Sequence, residues 1–282
     1  MNQARQLIRK ALGTYLPLVP FLIFALFPVV WMLISSFKSD RELYDLSATP
    51  FWISKGIVLA HYRELFFETS FVTWISNSFQ VSILATAISL VISVFAAYAL
   101  VRLRFPGAAI FAVAIFVTYL VPHALLFLPM NQVVNFLGLA DSRWALVVTY
   151  PTFLVPFSTW LIMGYLKSIP KEIEEAALID GCSRIQVLFK VVIPIAIPGI
   201  MCATLFSFTL CWNEFLYALT FISSTTEKMA PVGVIAELIR GDIYFWGALM
   251  AGAITASLPI VFVYVFFLDY FMSGLTSGAT KG

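Results

Sequence analysis

The chain has 282 residues, of which 61% are hydrophobic and only 11% charged, with a formal net charge of +2. Soluble proteins carry about 25% charged residues, so a mean hydropathy of +0.94 argues against a water-soluble globule, and so mild a charge does not indicate a nucleic-acid binder. Cys182, Cys202 and Cys211 are an odd number without framework spacing, which excludes a disulfide scaffold.

A helix needs about 20 mainly apolar residues to cross a membrane. The first such window is 17–37. Arg5, Arg9 and Lys10 precede it as in a secretory signal, but its length and its end Ile34-Ser35-Ser36-Phe37-Lys38 fit an uncleaved helix. Stretch 38–71 is the longest outside the apolar windows; Pro50 and Gly56 break it, and His61–Glu68 is predicted as a short surface helix. Five further windows follow at 72–101, 107–128, 144–166, 191–220 and 245–272. Glu214 and Asp269 are the formal charges inside the six windows. Asp269 lies near the end of the last window and is expected at an interface. The windows do not alternate in polarity as barrel strands do. The prediction is an all-α polytopic bundle of six transmembrane helices forming a single domain over 1–282. Pro122, Pro151, Pro156, Pro194, Pro198 and Pro259 are expected to kink it.

Orientation follows from Lys and Arg near the span ends. With the N-terminus in the cytoplasm, the inside segments hold ten of the 17 basic residues and the longer outside segments seven. Both termini are therefore expected in the cytoplasm.

Catalytic signatures are missing from the sequence. There is no phosphate-binding G-x-x-x-x-G-K-[ST] loop, no H-E-x-x-H and no G-x-S-x-G, and His61 and His123 lie far apart. No catalytic residue, metal ligand or cofactor site is expected. A stand-alone channel or secondary transporter is the alternative from another class. Two acids within the spans support it poorly, because ion-coupled carriers need polar groups at the midplane.

Residues 167–190 form the longest inside segment. Pro170 suits a first helical turn, and Glu172, Glu174 and Glu175 lie where the helix dipole favours acids. Asp180-Gly181 is a stop signal, since Gly accepts a left-handed conformation cheaply. A second helix is predicted from about Ser183 into the fifth span. Ala176, Ala177 and Gly181 would let another surface approach closely; the bland reading is a solvated connector.

Glu175-Ala176-Ala177, three residues, Gly181, nine residues, then Val191-Val192-Ile193-Pro194 resembles the EAA-loop signature of ATP-binding-cassette importer permeases, E-A-A-x3-G-x9-I-x-L-P. Val191 stands for Ile and Ile193 for Leu. Arg104-Phe105-Pro106-Gly107, Trp212-Asn213-Glu214-Phe215 and the ending Gly274–Gly282 extend the likeness to the maltose-type carbohydrate permeases, specifically the six-span member of the heterodimeric pair. The resemblance implies a permease of a bacterial or archaeal cytoplasmic membrane that moves a carbohydrate or polyol by alternating access. A phosphorylated glycerol is the alternative solute. It also implies a homologous second permease, an external solute-binding protein, and two cytoplasmic ATPases that hold the ATP and magnesium.

On this resemblance Glu175, Ala176, Ala177, Asp180, Gly181 and Pro194 form the ATPase-coupling element. The tail residues Gly274, Gly278 and Lys281 are expected to touch the ATPase pair. Trp212, Asn213, Glu214, Phe215 and Tyr217 are candidates for the substrate pathway, offering hydrogen bonds and aromatic faces. Their bland readings are packing and interfacial belt for the aromatics, and snorkelling or an internal hydrogen bond for Glu214.

Overall fold

The computed structural model describes residues 2–103 and 105–269. In chain order the helices are α1 (Asn2–Ser36), α2 (Asp40–Leu43), α3 (Ala60–Arg63), α4 (Phe71–Arg102), α5 (Ala108–Leu120), α6 (His123–Phe136) and α7 (Arg143–Thr149). They continue as α8 (Pro151–Leu166), α9 (Lys171–Ile179), α10 (Arg184–Val187), α11 (Ile193–Trp212), α12 (Leu216–Phe221), α13 (Ala230–Leu238) and α14 (Trp246–Phe266). A two-stranded hairpin, β1 (Ile239–Arg240) and β2 (Ile243–Tyr244), turns at Gly241 with φ +64° in a stretch without a strand signal.

Among the described residues, five helical segments are long and apolar enough to span a membrane: Tyr15–Ser36, Phe71–Arg102, Arg143–Leu166, Arg184–Trp212 and Trp246–Phe266. The third sequence window is not one rod. It becomes α5 and α6, bent by 96° at Val121-Pro122, and the pair makes up the sixth candidate span. Pro122 lacks the amide that would continue the ladder, so the expected kink is a break. The second limb runs on to Phe136, eight residues past the window's end.

The described residues divide into two compact units. In the first, formed from 1–71 and 234–258, buried polar groups organise the loop after α1. Lys38 Nζ donates to the carbonyls of Thr49 at 2.7 Å and Pro50 at 3.0 Å. Glu42 accepts from the amides of Ser54 and Lys55. His61 Nε2 lies 2.8 Å from the Lys38 carbonyl. The predicted surface helix at 61–68 exists as α3 and a π turn, Glu64–Glu68; it buries His61 and Leu65 on one side and leaves Arg63, Phe66, Phe67 and Glu68 exposed. Gly247 packs directly on the His61 ring, where a Cβ would come within 2.1 Å of Nε2.

The second unit covers 72–233 and 259 onward. It has two apolar clusters. One joins Val81, Ala85, Val134, Leu146, Tyr150, Leu154, Tyr217 and Phe221. The other joins Ala97, Tyr98, Ile162, Leu166, Val187, Leu188 and Val192. They lie towards opposite ends of α4, whose buried edge is small and polar: Ser78, Ser82, Thr86, Ser89 and Ser93. Small residues at four-residue spacing let neighbouring helices approach closely where lipid provides no hydrophobic drive. Ser93 Oγ donates to the Val155 carbonyl of α8 at 3.2 Å, and Ser158 and Ser207 hydroxyls meet at 2.8 Å between α8 and α11.

Candidate functional site

The segment after α8 folds as its sequence demands. Pro170 is extended at the N-cap of α9 (ψ 137°), and Glu172 and Glu174 occupy the first turn. At the other end Gly181 is left-handed, φ +87°. Its amide donates to Leu178 O at 3.1 Å and that of Cys182 to Ala177 O at 3.0 Å, the paired bonds of a Schellman cap. Ser183 then caps α10 in a capping box with Gln186. A π turn, Leu188–Val192, leads into α11, where Pro194 sits in the first turn and needs no amide partner.

One face of α9 carries Glu172, Glu175, Ala176 and Ile179, all exposed, with Ile179 at 85%. The opposite face carries Glu174, buried, and half-buried Ala177 and Leu178, which pack against the second apolar cluster. Ala176 and Ala177, paired in the sequence motif, therefore face different ways. Asp180 and Pro194 are exposed. The residues Gly274, Gly278 and Lys281 lie outside the described residues, as does Arg104.

The inward face holds what motif reading missed. Arg102, the last residue of α4, places Nε 2.5 Å from Glu174 Oε1 with both side chains buried. Its Nη2 donates to Leu166 O at 2.9 Å and Ile169 O at 2.8 Å. Removing one partner from a buried pair costs about 3–5 kcal/mol, because the other charge stays desolvated. A polar cavity of about 440 Å³ lies beside the pair, lined also by Lys171, Glu175 and Arg184. In the sequence the joint shows as a basic residue at a span's end and an acid in the first turn of a helix, with nothing that marks the two as a pair.

A second cavity, of about 460 Å³, opens where the third span breaks. Asn213, Glu214 and Phe215 line it, together with Thr118, Tyr119, His123, Thr152 and Phe153. Trp212 and Tyr217 do not. Trp212 is buried and stacks on Phe208 at 5.7 Å; Tyr217 is fully buried and donates its hydroxyl to His123 O at 3.1 Å. Glu214 is tied internally: it accepts from the Tyr150 hydroxyl at 3.0 Å, the Tyr217 amide at 2.9 Å and the Ala218 amide at 3.2 Å. It caps the N-terminus of α12, where a negative charge is favoured. Asp269, the last described residue, is exposed.

Residues 89–277 match the family of binding-protein-dependent transport system inner membrane components. The Escherichia coli K12 inner membrane ABC transporter permease protein YcjP is 34% identical over 96% of each chain. The Agrobacterium fabrum sulfoquinovosyl glycerol transport system permease protein SmoH is 36% identical over 93% of this chain and 90% of its own. Among solved structures, a chain of a bacterial ABC transporter involved in alginate import shares the fold, with a TM-score of 0.78 over 95% of this chain and 98% of that one at 23% identity. The chain belongs to the binding-protein-dependent inner membrane component family: it is a multi-pass permease subunit of an ABC importer.

Proposed function

We propose that this permease passes a carbohydrate or polyol through the cytoplasmic membrane and is driven by separate ATPase subunits that dock on α9. The observation that carries the solute class is the likeness to a permease for a sugar glycoside, at 36% identity over nearly the whole chain. The cavity at the span break suits such a ligand, since Asn213, Thr118 and Thr152 offer hydrogen bonds and Tyr119, Phe153 and Phe215 offer aromatic faces. Described residues form no cluster of His, Cys, Asp or Glu that would hold a metal ion. ATP and magnesium belong to the partners in this reading.

The exposed face of α9 is the coupling surface. Glu175, Ala176 and Asp180 meet an ATPase groove, Gly181 and Pro194 set the element's direction, and Ala177 seats it on the spans. ATP-driven closure of the ATPase pair moves this element and the spans with it, as a rigid-body switch. A homologous second permease completes the pathway, an external binding protein delivers solute, both termini face the cytoplasm, and the spans act as one permease domain. The tail with Gly274, Gly278 and Lys281 reaches the same ATPase pair.

The test is uptake by cells expressing the complete importer, offered labelled disaccharides, sugar glycosides, polyols, glycerol phosphate and amino acids. Uptake of a sugar or polyol that stops without the ATPase is the expected result. Uptake of amino acids alone, or uptake by this chain without ATPase, overturns the proposal.

A further inference from the structure

Helix α4 is fastened at both ends by buried or half-buried polar side chains. At one end Arg102 is paired with Glu174 of α9 and bonded to the Leu166 and Ile169 carbonyls. At the other, Trp74 Nε1 donates to Thr225 O at 2.7 Å, and Asn77 Nδ2 donates to Thr226 O at 2.8 Å and Lys228 O at 3.0 Å. Ser78 Oγ accepts the Ala230 amide at 2.8 Å, and Asn77 Oδ1 accepts Arg143 Nη1 at 2.6 Å. Gly233 presses on the Trp74 ring so closely that a Cβ would come within 2.2 Å of it. Twenty-five residues separate Asn77 from Arg102, about 38 Å of continuous helix.

That helix also lacks the residues that usually break a long helix. Among the described residues every other helix of 16 or more residues contains proline: three in α1, two each in α8 and α11, and one in α14. The 32 residues of α4 contain neither proline nor glycine. Sharp kinks arise mostly at prolines, glycines and π bulges, and α4 has none of these; its Ser89 hydroxyl bonds back to the Ala85 carbonyl, a contact that bends a helix only gently.

We propose that α4 is a strut that carries the displacement of α9 to the loop 222–230 at the opposite end, and that Arg102 is the positioning residue that joins α9 to it. The proposal rests on the reading that α9 is the ATPase-docking element. A buried Arg102 that pairs with Glu174 and also bonds two carbonyls of the chain just before α9 transmits push and pull alike, whereas apolar contact alone lets helices slide. The loop at the far end hangs on α4 through four backbone groups, so it follows the helix instead of moving by itself.

The experiment uses the complete permease–ATPase complex in lipid nanodiscs, with Cys182, Cys202 and Cys211 replaced and a single probe introduced by Thr226→Cys. A soluble maleimide reports the modification rate at this exposed position with and without a non-hydrolysable ATP analogue. The parent complex is expected to change its rate at least fivefold. Glu174→Gln should retain the ATPase and its hydrolysis within twofold while abolishing that change; Arg102→Lys, which keeps the charge opposite an intact Glu174, should retain at least a third of it. A second variant softens the rod and leaves the joint alone: Val91→Gly with Ile92→Gly, both on the exposed side of α4, should cut the change at least threefold.

A Glu174→Gln complex that keeps its ATPase and the full nucleotide response overturns the strut. So does a parent complex without a response, or loss of the ATPase from the Glu174→Gln complex, which would make the pair a docking support only. Failure of the docking reading itself shows separately, as full ATPase association and wild-type transport by both Glu175→Lys and Gly181→Val.

Discussion

Glu174 and Glu175 are neighbours in sequence and lie on different faces: Glu174 is buried against Arg102, and Glu175 lies open on the outer face of α9. A helix turns 100° per residue, so two adjacent acids take different work. Only Glu175 falls in the family motif, yet Glu174 anchors the helix that carries it. Glu175→Lys should insert normally and reduce co-purification of the ATPase several-fold, since it reverses charge at the proposed contact while leaving the buried pair intact. Wild-type association would remove Glu175 from that surface.

Gly181→Val tests the cap of the same helix. A Cβ at Gly181 meets nothing within 4 Å, so crowding is not the obstacle. The obstacle is φ +87°, which costs non-glycine residues roughly 1–2 kcal/mol, and more for a β-branched one. The strain re-aims α9 without unfolding spans held by the membrane. Normal membrane content with transport reduced at least tenfold is expected; unchanged transport would show that the direction of α9 does not matter.

The internal ties of Glu214 give a different expectation. Glu214→Ala leaves the Tyr150 hydroxyl and two α12 amides without their acceptor, at about 1–3 kcal/mol for each group left unsatisfied. The purified complex should melt earlier, and binding-site effects should be inseparable from that loss. Asn213→Ala, by contrast, removes an exposed side chain lining the same cavity. It should leave the melting temperature within a degree or two and raise the solute concentration for half-maximal uptake.

Much of this architecture was legible in the sequence because lipid imposes a blunt rule: apolar runs become spans. Gly181 and Ser183 were equally plain, since caps depend on local chemistry. The Arg102–Glu174 pair was not legible, because it joins residues 72 positions apart and no local pattern marks a side chain that will be buried. Trp212 and Tyr217 were ambiguous for another reason. Aromatic residues suit both a sugar face and a core, and only the fold shows that these two are buried. Pro122 announced a kink, but whether a proline bends a helix by a few degrees or by 96° depends on what packs beside it.

Asp141 supplies a pH test. It holds a left-handed backbone, φ +58°, and its carboxylate accepts from the Ser224 hydroxyl and from the amides of Ser224 and Ser223. These bonds, the Ser224 hydroxyl foremost, hold its pKa below the ordinary aspartate value of 3.8. A depressed carboxylate stabilises the fold above its unfolded pKa, and that stabilisation disappears as pH falls through the lower folded value. Asp141→Asn should therefore melt earlier than wild type at pH 7, with the gap closing only well below pH 4. A gap independent of pH would mean that the charge contributes nothing.

Orientation is open to single-cysteine labelling in a background lacking Cys182, Cys202 and Cys211. Cysteines at Ser47, Ser142 and Ser224 should react in intact cells with an impermeant thiol reagent, and one at Ser277 should not. Labelling of Ser277 alone would reverse the topology.

Gly199 tests how closely α8 and α11 approach. A Cβ there would stand 2.3 Å from Cγ of Tyr165 and 2.7 Å from its Cβ, positions at the root of the side chain that no rotamer change relieves. The helices must separate or Tyr165 must shift with its backbone, and overpacking of this kind costs about 1–3 kcal/mol. Gly199→Val should lower the melting temperature of the purified complex and its yield in the membrane. Tyr165→Ala alone should cost stability too, by opening a void between the same helices. Combined, the two changes exchange bulk across one contact, so the double variant should be more stable than the sum of the single losses predicts, by at least 1 kcal/mol in a double-mutant cycle. Strict additivity would mean that Gly199 and Tyr165 do not share a contact in the membrane.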